Sequence, residues 1–150
     1  MATSIERVRE LPLEPLGVLV TESEQAGSTL VRRLVEEWVG GTNRFDRPGE
    51  ALFGLWVDGQ LGGVCGLNVD PYTDAARVGR VRHLYVLQAF RRHGAGRRLV
   101  NEVIEVGRSS FDVLRLRTTN PAAARLYEAI GFRPTHGSVV DATHILELGG

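Results

Sequence analysis

Arg91-Arg92-His93-Gly94-Ala95-Gly96 joins an apolar segment ending in Val86-Leu87 to an amphipathic stretch that begins Arg97-Arg98-Leu99-Val100. Gly94 and Gly96 let the backbone curl tightly, so that successive main-chain N–H groups and the positive end of the following helix converge on one point. Arg91, Arg92, His93, Arg97 and Arg98 surround that point with further donors. The chemistry this suits is the binding of an anion, a phosphate above all. Charge placement supports it. The formal net charge is zero, yet seven of the 18 basic residues fall between Arg77 and Arg98, with Asp74 the only acid close to them. An ordinary strand-to-helix turn would use the glycines in the same way, so the anion reading needs a second element beside it.

The elements that must hold this turn are legible from apolar spacing. After a polar lead, residues 16–20 read as a short apolar strand, and Leu30, Val31, Leu34, Val35 and Trp38 recur at helical spacing until Gly40-Gly41. A loop over residues 42–50 follows, with Arg44-Phe45-Asp46-Arg47 in it. Residues 52–57 and 61–69 flank Asp58-Gly59, the signature of a hairpin. A turn-rich connection at residues 70–74 leads to a long strand over residues 78–87 that enters the basic turn. Leu99, Val100, Val103, Ile104 and Val106 form one face of the next helix, which stops near Gly107, and residues 113–118 read as a buried strand. Asn120-Pro121 opens a last helix with cap and first-turn residues, and Ala123, Leu126, Tyr127 and Ile130 share a face of it before Gly131. A strand over residues 143–148 completes an α/β order without repeats.

Composition narrows the function classes. A chain of 150 residues with 43% apolar and 24% charged residues is expected to fold as one domain across residues 1–150. Zero net charge disfavours general nucleic-acid binding. Every basic residue is Arg, so lysine nucleophiles and Schiff bases are excluded. Cys65 is alone, with no disulfide partner and no metal-ligand spacing around it, so no metal is expected. Cys65 reads as a small buried hydrophobe, and His136 and His144 as loop or strand residues without partner spacing. Residues 1–9 lack a long apolar core, and no apolar run approaches the roughly 18 residues of a membrane span, so a cytoplasmic protein is the expectation.

The basic turn fits the pattern Arg/Gln-x-x-Gly-x-Gly/Ala, and further along comes Asn120-Pro121-Ala122-Ala123-Ala124-Arg125-Leu126-Tyr127-Glu128-Ala129-Ile130-Gly131-Phe132. These two segments, in this order, resemble the GNAT superfamily of acyl-CoA N-acyltransferases, and the order of elements extends the resemblance over most of the chain. The turn is neither a Walker loop nor a full dinucleotide fingerprint. The resemblance implies a mixed, mostly antiparallel α/β sheet of six to seven strands flanked by helices, with central parallel strands that splay. It implies acetyl-CoA as cosubstrate in that opening. The pantetheine arm would pair with the main chain of Leu84, Tyr85 and Val86, the pyrophosphate would lie on Arg91, Arg92, His93, Gly94, Ala95, Gly96 and Arg97, and Asn120 would bond the pantetheine side.

Tyr127 matches the position of the family's general acid; on residue pattern alone it is equally a core tyrosine with a wet hydroxyl. The family often carries a carboxylate on the strand before the turn, and here the chain departs, with Arg82 and His83 in those places. His83 is a candidate base near neutral pH or a partly solvated strand histidine. Arg82 would repel a polyamine and hold a substrate carboxylate or phosphate. The resemblance thus implies an N-acetyltransferase acting on a small-molecule or peptide amine by direct attack in a ternary complex, with a homodimer as a family-level expectation. The missing carboxylate motivates the alternative, a CoA-binding sensor or interaction module with little catalysis.

Overall fold

The computed structural model describes residues 2–149. One seven-stranded sheet carries the strands β1 (Thr3–Arg7), β2 (Ala51–Val57), β3 (Gln60–Val69), β4 (Val78–Val86), β5 (Val113–Leu116), β6 (Arg133–Pro134) and β7 (His144–Glu147). The spatial order is β1-β2-β3-β4-β5-β7-β6, and every pair is antiparallel except β4 with β5. The helices are α1 (Leu13–Gln25), α2 (Leu30–Gly40), α3 (Ala95–Gly107) and α4 (Pro121–Ile130). Asp58 and Gly59, both at positive φ, make the tight β2–β3 turn that their types demand.

Two apolar cores lie on opposite faces of the sheet. On one, α1 and α2 bury Leu16, Leu19, Val31 and Leu34 against Leu52, Leu61 and Val64. On the other, α3 and α4 bury Leu99, Val100, Val103 and Tyr127 against Phe53, Cys65, Val81 and Leu114. Strand alternation decides which face each residue joins.

Residues 16–20 are not a strand but the middle of α1. A short apolar run fits either element, and here the wider spacing wins: Leu16, Leu19 and Ser23 are the buried residues of a 13-residue helix, and Pro15 sits in the first turn, where its missing N–H costs nothing. The polar lead instead holds β1, an edge strand registered on β2 from Thr3 opposite Val57 to Arg7 opposite Phe53. With Ile5 as its one large apolar side chain, β1 shows no alternation to read. The two-residue β6 also leaves no apolar pattern in the sequence.

The parallel pair is short. Val78, Gly79 and Arg80 register on Val113, Leu114 and Arg115, and there it ends. β4 runs on to Val86 with nothing on its β5 side, while β5 stops at Leu116. Two features drive the strands apart. On the β3 side, Val64 lies opposite Tyr85 but Gly66 opposite Arg82, so Cys65 alone faces His83 and Leu84. That is a bulge, with His83 at φ 60°, and it bends β4. On the β5 side, the next same-face rung would set Arg82 against Arg117, two like charges.

The last closed rung already pairs two arginines, and a carboxylate holds it. Asp70, its side chain fully buried, lies 3.3 Å from Arg80 Nη1 and 3.3 Å from Arg115 Nη1. Arg80 also donates to the Asp141 carbonyl and stacks 4.5 Å from the centre of the Tyr72 ring. Burial lowers the Arg80 pKa, and Asp70 opposes that shift. Removing the carboxylate would strand two guanidinium groups in the interior. Asp70→Ala is therefore expected to destabilise the fold by about 3–5 kcal/mol, read as a lower midpoint in urea unfolding; a change below about 1 kcal/mol would show the pair to be replaceable.

Candidate active site

Where β4 outruns β5, its main chain is open. Leu87 N donates to Gly62 O at 2.8 Å, so by ladder alternation Tyr85 turns its main-chain groups to β3 and Val86 turns its own toward the opening. The Tyr85 backbone, expected to serve a ligand, is thus committed to the sheet. The Val86 carbonyl is taken as well, by Arg91 Nε at 2.8 Å. Leu84 is half-buried and packs on the α3/α4 side.

The basic turn follows. Its left-handed residues are Arg92 (φ 68°) and Gly94 (φ 78°). Gly96 does not shape the turn as expected from its type. It lies in the first turn of α3, where a Cβ would meet Leu126 at 3.1 Å, so its part is to let α4 approach α3. Gly94 caps α3 without a side-chain bond, and among the described residues no protein group accepts the amides of residues 92–97. A run of unpartnered N–H donors at the positive end of a 13-residue helix fits a phosphate. Arg91, Arg92, His93 and Arg97 are exposed around it. Beside the turn, the Tyr85 hydroxyl donates to Glu22 of α1, and the same carboxylate accepts Gln88 N at 3.1 Å. Burial and that carboxylate push the Tyr85 phenol up to about 12, so it stays a donor.

Tyr127 points inward from α4, 5% exposed. Its ring meets Phe132 edge-on at 5.5 Å and lies 6.5 Å from the His144 ring. Burial raises its phenol far above the ordinary range, and the nearby Cys65 thiol adds to that. The Cys65 thiol is itself pushed up to about 12 by burial. Among the described residues the Tyr127 hydroxyl has no hydrogen-bond partner, so a neutral proton donor stands free at neutral pH. Behind it lies a pair that the sequence hid: buried His144 bonds Glu128 through Nε2 and the Thr143 hydroxyl through Nδ1, 2.9 Å each. No spacing rule joins residues on a helix and a distant strand. Asn120 is exposed at the start of α4, and its side-chain oxygen accepts Ala122 N (2.9 Å) and Ala123 N (3.3 Å). The cap consumes that oxygen, leaving the side-chain N–H groups for a ligand.

His83 faces the other way. It is 7% exposed on the α1/α2 side, with Nδ1 3.2 Å from the Leu30 carbonyl and the Phe45 ring edge-on at 6.1 Å. The carbonyl assigns the proton to Nδ1 and leaves Nε2 a lone pair, buried and without a partner among the described residues. Burial, then the Arg82 charge, pull its pKa down to about 4. His83 is therefore neutral at pH 7 and a weak base. Tyr127 and His83 stand on opposite faces of the sheet. Arg82, next to His83, lies in a cleft of about 650 Å³ that also takes in Arg44, Asp46 and Arg47 of the loop after α2. Among the described residues no group of three or more His, Cys, Asp or Glu is placed to hold a metal, and no helix is long and apolar enough to cross a membrane.

The model of the acetyltransferase (GNAT) family matches residues 7–132. The chain belongs to that family. A crystal structure of an Exiguobacterium sp. 255-15 protein assigned as an acetyltransferase superposes with a TM-score of 0.83 at 28% identity, covering 98% of this chain and 94% of the other. A GNAT-family acetyltransferase from Staphylococcus aureus shares the fold at 17% identity, with a TM-score of 0.75 over 98% of this chain and 99% of its own. The N-alpha-acetyltransferase RimI of Mycobacterium tuberculosis is similar over 69 residues at 35% identity. That stretch is 41% of this chain and spans 44% of the relative's length.

His83 gives this GNAT chain a testable acid limb. A histidine kept neutral by the fold disfavours the native state wherever the unfolded chain takes up the proton and the folded chain does not. Stability is whole above pH 6.5 and is lost as pH falls toward about 4, by about 3 kcal/mol in full. Asn tolerates the left-handed backbone and does not titrate, so urea unfolding of His83→Asn between pH 7 and 4 should show that slope reduced. An unchanged slope would assign the acid loss to other groups.

Proposed function

We propose that the protein transfers an acetyl group from acetyl-CoA to a primary amine, both bound at once. The observation that carries this is a single one: β4 outruns β5 into a turn whose main-chain donors have no partner among the described residues, and the neutral Tyr127 hydroxyl, likewise without one, lies on the α3/α4 side of the same sheet. Acetyl-CoA supplies the activated thioester. The amides of residues 92–97, with Arg91, Arg92 and Arg97, would receive its diphosphate; Leu84 and Val86 would offer main-chain groups along the opening, and Asn120 its side-chain N–H groups. Tyr127 would hold a proton at its hydroxyl for the departing sulfur, its ring held edge-on against Phe132. His83, its Nε2 buried and its proton affinity low, would not strip an ammonium, so the amine would arrive uncharged, and the proton its nitrogen sheds on becoming an amide would replace the one Tyr127 gives to sulfur. The fragmentary likeness to an N-alpha-acetyltransferase supports keeping a peptide α-amine among the acceptors, beside small-molecule amines.

Thermal unfolding with acetyl-CoA tests the first step. Ligand at 100 times its dissociation constant adds about 2.7 kcal/mol, or several degrees. Tyr127→Phe is then expected to lower kcat by about 10²–10⁴-fold with acetyl-CoA affinity kept within about threefold, measured by thiol release and by titration. Unchanged kcat would remove Tyr127 from the chemistry. Saturable binding without turnover on any amine would replace the enzyme by a CoA-binding module, the reading that the weak basicity of His83 favours.

A further inference from the structure

The cleft beside the opening is walled by the end of α2, the loop of residues 41–50, the end of β3 and Arg82 of β4. Its charged residues are Glu37, Asp46 and Glu50 against Arg44, Arg47 and Arg82. They balance in number but not in what they are free to do. Glu50 is buried and both its oxygens are used, one by Arg47 N (3.1 Å), the other by Asn68 Nδ2 and Val69 N (2.9 Å each). Arg44 gives Nε to the Trp38 carbonyl.

Arg82 is different. Its side chain is only 21% exposed, yet its one ionic neighbour among the described residues is Glu37 at 3.8 Å, beyond hydrogen-bond reach. A guanidinium carries five N–H donors, and those of Arg82 have no protein acceptor among the described residues, so they are left to water or to a ligand in the cleft. The Arg47 guanidinium also lacks an acceptor among the described residues. On β5, on the same face, Arg115 leaves Nε buried and unpaired among the described residues. The positive field is felt next door, where Arg82 and Arg33 both depress the basicity of His83. Unused donors in a half-closed cleft are what a planar or tetrahedral oxyanion takes up, and a polycation would meet them as like charges.

We propose that the acceptor is a small amine that also carries a carboxylate or phosphate, and that Arg82, assisted by Arg47, binds that oxyanion and displaces Glu37 as its counter-ion. The naming of this ligand as acceptor rests on the acetyl-transfer reading; the recognition of its oxyanion does not. Calorimetric titration separates the two. Wild-type protein and Arg82→Gln are titrated with β-alanine and β-alaninamide, O-phosphoethanolamine and ethanolamine, and spermidine, each without and with acetyl-CoA. The oxyanion-bearing amines should bind about 10- to 100-fold more tightly than their uncharged counterparts. Arg82→Gln should erase that preference, and Arg133→Gln, far off on β6, should keep it. The tighter of β-alanine and O-phosphoethanolamine identifies the oxyanion. Equal binding within each pair, tightest binding of spermidine, or a loss in Arg82→Gln shared by every ligand would overturn the proposal. No heat with acetyl-CoA itself would strike the transfer reading and leave oxyanion recognition standing.

Discussion

Asp70, buried between Arg80 and Arg115, is the constraint on which the site depends. β4 and β5 are parallel and adjacent, yet each presents an arginine to the other at their last shared rung. One carboxylate, brought in by the turn after β3, makes that rung tolerable. At the next rung, where Arg82 and Arg117 would meet, Glu37 stands 3.8 Å from Arg82 and no carboxylate among the described residues bridges the two arginines as Asp70 does, and the bulge at His83 has already turned β4 aside. The sheet is therefore closed up to Arg80 and open beyond it. The boundary is set by where negative charge runs out as much as by hydrogen bonding.

The opening passes through the sheet, and its two faces differ in chemistry. Toward α3 and α4, burial keeps the Tyr127 phenol and the Cys65 thiol protonated. Toward α1 and α2, burial and cationic neighbours keep His83 unprotonated. One side can part with a proton and the other can receive a hydrogen bond. The bulge at His83 shapes that division: it breaks the alternation of β4, so that Arg82 and His83 both face α1 and α2 while Leu84 faces α3 and α4.

Much of this was legible in the residues, where the signal is local. Asp58-Gly59 announced its hairpin, Asn120-Pro121 and Gly131 marked both ends of α4, and the glycine-arginine turn marked the uncapped start of α3. What stayed hidden depends on partners far apart in the chain. The run at residues 16–20 is apolar enough for a strand and becomes a helix because of what Leu16 and Leu19 pack against. β1 has one large apolar residue and owes its existence to β2. The Asp70, Arg80 and Arg115 cluster and the Glu128–His144 bond join residues with no spacing relation. Gly96 looked like a turn residue because its neighbour Gly94 is one, and only the approach of Leu126 shows its purpose.

The exposed length of β4 has a meaning apart from catalysis. A row of unpaired main-chain groups in mid-sheet is the kind of template on which stray strands grow, and proteins normally guard such edges with charge or cover. Here the guard is Arg91, which folds back from the basic turn to occupy the Val86 carbonyl. Arg91 thus lays a cation across that edge and occupies one of its acceptors, so that a stray strand would meet charge where it sought a partner. The same arginine that helps make the turn basic therefore also protects the sheet from growing at its exposed middle.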